Sequence, residues 1–364
     1  MVVCWHWETL TRRGGDLRRF YTTPHQCYCG IDWHARTMDV CILNQDGEIM
    51  RHRHMKTSPE TLLKSIAPSR ADMVVAVECL FTWYGLADLC AQERIPFVLG
   101  HALDMKAIHG GNAQHDTSDA HKIAVRLRGG MLPQADVYPA ARRATRDLLR
   151  RRRHLMRTRA ALLTHIHKTN SQDNLPEIGQ KIADTANRTG VAERFSDPAG
   201  HKRIDGDLAL IRHYDARLRD MEWSVLTTAR QHQAHPLSLL RTVPGIGEIR
   251  SLVLLDDIPD LHRFPRVQDC VSSCRLVKCA KASAGKRDGT GGSKIGKAYL
   301  TWAFSDAAVR FWRDHPPGQQ ALTRLEKTHG QGKALTVLAH HLARAVDAMV
   351  KRHTAFEMHT FLHG

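Results

Sequence analysis

The 364-residue sequence predicts an α/β domain built on a mixed sheet, followed by mainly helical regions. Three observations predict it. Short strand-like runs crowd the first hundred residues; between about 140 and 235 the sheet signals vanish and leucines recur at helical spacing; from Leu239 onward the periodicity stays helical around glycine turns. A chain of this length is expected to form about two or three domains.

Each element has a local reason. Residues 1–25 read as a loosely structured extension. The runs 28–33 and 37–43 suit short strands, Asn44-Gln45-Asp46-Gly47 supplies a turn, and 48–55 returns as a third strand. Ser58 is placed as an N-cap with Pro59 at the first helical position, leading into Leu62, Leu63 and Ile66. The valine-rich run 73–77 has the continuous apolar character of a buried central strand. A helix through 86–90 and a strand at 96–99 follow. A three-stranded meander, then helix–strand–helix–strand, is the order of a ribonuclease-H-like fold, although other α/β domains share parts of it.

Farther along, Leu148/Leu149, Leu155/Met156 and Leu162/Leu163 recur every seven residues, a coiled-coil-like seam. Ile211, Tyr214, Leu218, Met221 and Val225 step by three and four, which suits an antiparallel partner helix or a dimer helix. The polar stretch 170–205, with Pro176 and Pro198, reads as loops and short helices. Leu240-Arg241-Thr242-Val243-Pro244-Gly245-Ile246-Gly247, then Leu252 and Leu255, matches a helix-hairpin-helix. Gly245 and Gly247 would leave backbone N–H groups free to cradle a phosphate, though similar hairpins serve only as packing. A last helix runs through Leu335, Leu338, Leu342, Val346 and Met349.

Charge narrows the function. With 53 Lys+Arg against 37 Asp+Glu the chain carries a formal +16, which calls for a polyanionic partner, most often nucleic acid. Positions 142–159 hold nine arginines against Asp147 alone. A solvated helix face is the plain explanation, but so lopsided a stretch favours phosphate contact, with Arg150, Arg151, Arg152 and Arg153 as the candidates. No run approaches the roughly 20 apolar residues of a membrane helix. Nine cysteines, an odd number, make a poor disulfide framework. Neither His25-x-Cys27-x-Cys29 nor Cys270-x3-Cys274-x4-Cys279 has the paired spacing of a zinc site.

Against this cationic background four acids stand out. Asp32 lies inside the first strand, and Glu78 directly follows the apolar run 73–77. Asp116 and Asp119 are three apart where a helix begins, so they share one helical face. If the first and fourth strands are neighbours, Asp32 and Glu78 converge at one sheet edge and the helix pair faces them. Four such carboxylates can hold two Mg²⁺ ions about 3.5–4 Å apart. Asp116 could instead cap its helix and Asp119 complement its dipole. Asp32 has no such excuse, since an unpaired buried carboxylate is costly.

Gly30-Ile31-Asp32, Val77-Glu78 and Asp116-x-x-Asp119-Ala120 resemble the DEDD motif set of the insertion-sequence-110 family of transposases. Pro244-Gly245-Ile246-Gly247 and Ser283-Ala284-Gly285-Lys286 resemble that family's carboxy-terminal domain, and the likeness runs from about 28 to about 352. It implies a RuvC-like domain at 26–138, a coiled-coil connector at 139–235, a mainly α transposase domain at 236–352 and a tail at 353–364. It implies a DNA recombinase guided by a bridge RNA that pairs with donor and target DNA. A bacterial cytoplasmic, nucleoid-associated location is expected, and the heptad seam with the need to hold two duplexes points to a homodimer or homotetramer.

Ser283 lies in a glycine-rich basic loop with Lys286 and Arg287, which residue chemistry alone reads as a phosphate-binding turn. The resemblance makes Ser283 the nucleophile, acting with the Mg²⁺ of the four acids in a composite site of the two domains. The sequence departs from the family in two places: Arg275-Leu276-Val277-Lys278 stands where Gly-Leu-x-Pro is usual, and Ala284 where glycine is usual. Alanine cannot adopt glycine-only conformations, which leaves Ser293 and then Ser273 as alternatives. Two other functions remain open: a RuvC-like nuclease cutting DNA junctions with metal-activated water, and a non-catalytic nucleic-acid-binding protein.

Overall fold

The computed structural model describes residues 20–79, 81–102, 105, 116–232, 234–258, 261–262, 264–277, 279–283, 286–291 and 296–363. The chain divides into two compact units, Met1–Ala140 and Ala141–Gly364.

In the first unit, β1 (Cys27–Trp33), β2 (Thr37–Asn44), β3 (Ile49–Lys56), β4 (Met73–Glu78) and β5 (Phe97–Gly100) form one sheet in the order β3-β2-β1-β4-β5. β1 runs antiparallel to β2 and parallel to β4, which runs parallel to β5. This mixed sheet is compatible with the ribonuclease-H-like order expected from sequence. Helices α1 (Pro59–Ile66) and α2 (Trp83–Gln92) supply Leu62, Ile66, Leu86 and Cys90 to one face, packed on Cys29, Ile31, Val40, Val75 and Val77. The opposite face carries Tyr28, Val74 and Ala76 against Ile123 and Leu127 of α3 (Asp116–Arg128). Strand side chains alternate between faces, so one strand feeds two cores. The Ser58 cap forms as expected, the Thr61 N–H donating to its Oγ at 3.1 Å.

Gly30 sets how closely α3 lies on the sheet. A Cβ there would stand 2.2 Å from the Ala120 carbonyl oxygen and 2.4 Å from the Ala124 nitrogen, so helix backbone rests directly on strand backbone. Cys29 and Cys41 are buried free thiols, and burial pushes the Cys41 thiol up to about 11.

Part of the expected extension belongs to the fold. Phe20 bridges to Pro133, the Tyr21 N–H donates to the Leu132 carbonyl at 3.2 Å, and the His25 ring meets Asp72 at 2.7 Å. Tyr21 is buried, and apolar burial rather than strand periodicity holds the segment.

The second unit opens with α4 (Ala140–Gln172), followed by α5 (Pro198–His232). Arg152 pairs with Glu222, Arg159 with Asp215 and His165 with Asp207. One partner number rises as the other falls, so the two helices are antiparallel. Leu149 and Leu155 of the leucine seam are buried, and so are Ile211, Leu218 and Val225 of α5. The reading of 170–205 as loops and short helices fails at its end, because α5 begins at Pro198. Proline at a first helical turn loses no hydrogen bond, and Asp197 accepts from the Gly200 N–H at 2.7 Å as a cap. The intervening chain makes 3-10 turns at Thr185–Arg188 and Ala192–Arg194. These turns close a small core of Ile182, Val191 and Phe195 on Ile166, Ile204 and Leu208.

Then come α6 (Ala234–Arg241), α7 (Glu248–Asp257), α8 (Val267–Ser273), a hairpin of β6 (Cys279–Ser283) and β7 (Lys286–Gly291), α9 (Ala298–Asp314), α10 (Pro316–His329), α11 (Gln331–Arg352) and α12 (Met358–His363). Phe304, Phe311, Leu338 and Leu342 centre the core. The hairpin was not expected, since its glycines and alanines have low strand propensity; its register pairs Cys279 with Gly291 and Ser283 with Lys286. The segment read as a tail is also packed, with Phe356 and Phe361 against this core and Phe361 edge-on to Phe311. Among the described residues no helix is long and apolar enough to cross a membrane.

Candidate active site

Register and alternation assemble the site. Ile31 pairs with Val77, so the next residues, Asp32 and Glu78, sit side by side at the ends of parallel β1 and β4. Asp32 shares a face with Tyr28 and Gly30, and Glu78 with Val74 and Ala76. That is the face covered by α3. Asp119 belongs to the first turns of α3. Gly30 presses that helix onto β1 through Ala120, the residue after Asp119.

The charges sense one another. Burial raises the Glu78 carboxyl above the ordinary carboxylate range, and the negative charges of Asp119 and Asp32 push it further, against the pull of Arg126. Arg126 is buried; desolvation lowers its guanidinium, and Glu78 and Asp119 offset this. Asp32 meets the His34 ring at 3.2 Å, and Lys122 donates to Asp119 at 2.8 Å. Three of the four predicted acids therefore gather at one edge. Asp116 begins α3, but its side chain lies outside the described residues. Among the described residues no three His, Cys, Asp or Glu side chains stand close enough together to hold a metal ion. The donor set nonetheless fits a hard divalent cation in its chemistry, because it is all carboxylate oxygen.

Sequence reading missed His34, Lys122 and Arg126. The helical period would have found two of them, because Asp119, Lys122 and Arg126 lie at i, i+3 and i+7 on one face. It also missed Asp39, which pairs in register with Asp32 on one side and His54 on the other.

The predicted nucleic-acid contacts fare unevenly. Arg152 donates to Glu222 at 2.7 Å. The Arg153 guanidinium lies over the Tyr299 and Trp302 rings at 4.6 and 4.9 Å from their centroids, and Arg150 lies over Tyr299 and 3.7 Å from Asp257. Arg151 is exposed. Gly245 has φ +84°, and a Cβ would stand 2.3 Å from the Ala307 carbonyl, so its close approach is to α9. Gly247 is the N-cap of α7. Ser283 ends β6 in register with Lys286 of β7, and the side chains of Ser283, Lys286 and Arg287 lie outside the described residues, as does Ser293. Ser273 ends α8, its carbonyl accepting from the Lys297 N–H at 2.8 Å.

Residues 29–171 match a family model for IS110-type DEDD transposases, described as "Transposase". Residues 237–323 match a second, described as "Transposase IS116/IS110/IS902 family". No curated protein matches the chain. The two family matches together cover more than half of the sequence and take in the acidic edge and the glycine turn. The chain belongs to the IS110 family of transposases.

Proposed function

We propose that this transposase cuts and rejoins DNA strands through Ser283, with Asp32, Glu78, Asp116 and Asp119 holding two Mg²⁺ ions. The observation that carries the proposal is the register that sets Asp32 beside Glu78 at the ends of β1 and β4, where burial first, and then the charges of Asp119 and Asp32, raise the Glu78 carboxyl. Family membership supplies a divalent requirement and a DNA substrate. When bound, the cations polarise the phosphodiester and stabilise charge on its oxygens. The four carboxylates fix them, and Lys122 and Arg126 limit how much negative charge faces the DNA backbone.

Ser283 attacks phosphorus; the Oγ–P bond forms as the P–O bond to the departing strand breaks, and that strand leaves with the proton. The phosphoserine conserves the bond energy needed for rejoining. Lys286 and Arg287 steady the phosphate, with Gly247 at the α7 N-terminus as a further backbone contact. Target choice rests with a bridge RNA pairing to donor and target DNA, and the working form is a homodimer or homotetramer.

The test is strand exchange on donor and target duplexes with Mg²⁺ and the element's noncoding RNA. Ser283→Ala should abolish exchange and the covalent protein–DNA adduct. A Ser283→Ala protein that still cuts DNA would favour the hydrolytic nuclease. Omitting the RNA should abolish target selection, and unchanged selection would overturn RNA guidance.

A further inference from the structure

We propose that Asp39 is a further member of the acidic edge, a positioning carboxylate that strengthens its hold on a divalent cation. This rests on the reading of Asp32, Glu78, Asp116 and Asp119 as the cation-holding groups. Asp39 faces Asp32 across the β1–β2 ladder, and His54 faces Asp39 across the β2–β3 ladder. With Glu78 beside Asp32, one polar row, Glu78–Asp32–Asp39–His54, crosses four strands on the face that α3 covers. The next row inward, Ala76–Gly30–Cys41–His52, lies under α3 itself.

Asp39 is 1% exposed. Its Oδ2 accepts from the His54 Nδ1–H at 2.8 Å, but its Oδ1 is buried with no hydrogen-bond partner. A carboxylate kept only to hold β3 would explain Oδ2 and leave Oδ1 without purpose. It would also place two acids directly opposite each other on a sheet, a destabilising arrangement. A hydrated cation at the edge removes both objections. Mg²⁺ retains several waters, and each needs an acceptor. Oδ1 supplies one from the second strand, while His54 fixes the carboxylate. Groups that support a metal site from this distance typically change its affinity by about 10–100-fold.

The test titrates the full chain with Mn²⁺ in place of Mg²⁺, reading free Mn²⁺ by electron paramagnetic resonance and folding by thermal melting. Asp32→Asn should remove the site. Asp39→Asn should weaken it roughly tenfold or more with the fold retained, and His54→Gln a few-fold. Wild-type Mn²⁺ affinity in Asp39→Asn, with the site lost in Asp32→Asn, overturns the role of Asp39 and leaves the acidic edge intact. Unchanged binding in Asp32→Asn overturns the cation reading of the edge and this inference with it. Should Asp39→Asn unfold, Asp39→Glu decides: it keeps the charge but displaces the oxygen, and wild-type affinity there also overturns the proposal.

Discussion

The acidic edge of the sheet and the arginine face of α4 are both lopsided in sequence, yet they resolve in opposite ways. Around α4, local excess is balanced by acids far along the chain: Asp215, Glu222 and Asp257 reach Arg159, Arg152 and Arg146 across 56, 70 and 111 residues. At the sheet edge, folding sets Asp32 beside Glu78, whose carboxyl is raised first by burial and then by the charges of Asp119 and Asp32. The arginines that find acidic partners on folding have a structural role, whereas Arg151 and Arg157 stay exposed. Predictions therefore separate the two regions by what each substitution damages, chemistry or stability.

The largest contrast is at Asp32. Asp32→Asn should reduce strand exchange by roughly a thousandfold or more, because losing a cation-holding group removes several kcal/mol of transition-state stabilisation. Its melting temperature should hold or rise, since a like charge has gone from beside Glu78. Full activity in this variant would move the acids into the structural class, where the α4 arginines already have members.

Asp215 is the counterpart in the second unit. It makes ion pairs with Arg159 at 2.5 Å and Arg188 at 2.6 Å, and Arg188 is buried. Asp215→Ala should cost about 1–3 kcal/mol in urea unfolding, because it leaves the buried Arg188 without its carboxylate partner. Burial works to raise the Asp215 carboxyl, but the two guanidiniums override it and hold it below its ordinary value. The folded protein thus binds fewer protons than the unfolded chain at this group. Its stabilisation is present above the unfolded pKa of roughly 4 and is lost as pH falls through the lower folded value. Unfolding followed from pH 6 to pH 3 should show that loss, and Asp215→Asn should flatten it. An unchanged acid limb in Asp215→Asn would remove this network from the account of stability.

Gly30 tests whether the edge depends on backbone contact. Gly30→Ala forces α3 away from β1, and the expected cost is about 1–3 kcal/mol of overpacking. Cation affinity should fall as well, because Asp119 moves with the helix. A stable variant with normal affinity would show that α3 can slide without disturbing the acids.

What the sequence made legible follows from the range of each signal. Alternation, turn chemistry and capping act within a few residues, so the meander, the Ser58 cap and the valine-rich β4 could be read directly. Asp32 was legible because a carboxylate inside an apolar strand lacks any local excuse. The same reasoning applied to Thr37-Met38-Asp39-Val40-Cys41 would have exposed Asp39, whose partner His54 is set by register alone. The Arg152–Glu222 pair was not legible, because Glu222 lies on another helix, beyond any window. The packing of Gly245 on Ala307 was not legible, because the hairpin motif suits phosphate contact and packing alike.

The smallest effect is the sharpest division, because it lies within one helix. Arg151 and Arg157 are exposed on α4, whereas Arg152 is committed to Glu222. If the exposed pair meets DNA or RNA phosphates, each contact contributes about −0.9 to the log–log salt dependence on duplex DNA. Arg151→Gln with Arg157→Gln should then reduce that slope by about 2 while leaving thermal stability near wild type. Arg152→Gln should do the reverse, lowering stability by about 1–2 kcal/mol through the lost charged hydrogen bond and leaving the slope unchanged. Filter binding over a salt series, paired with thermal melts, reads both quantities. An unchanged slope in the double variant would assign the whole arginine run to folding, and electrostatic attraction of nucleic acid would have to come from elsewhere in this +16 chain.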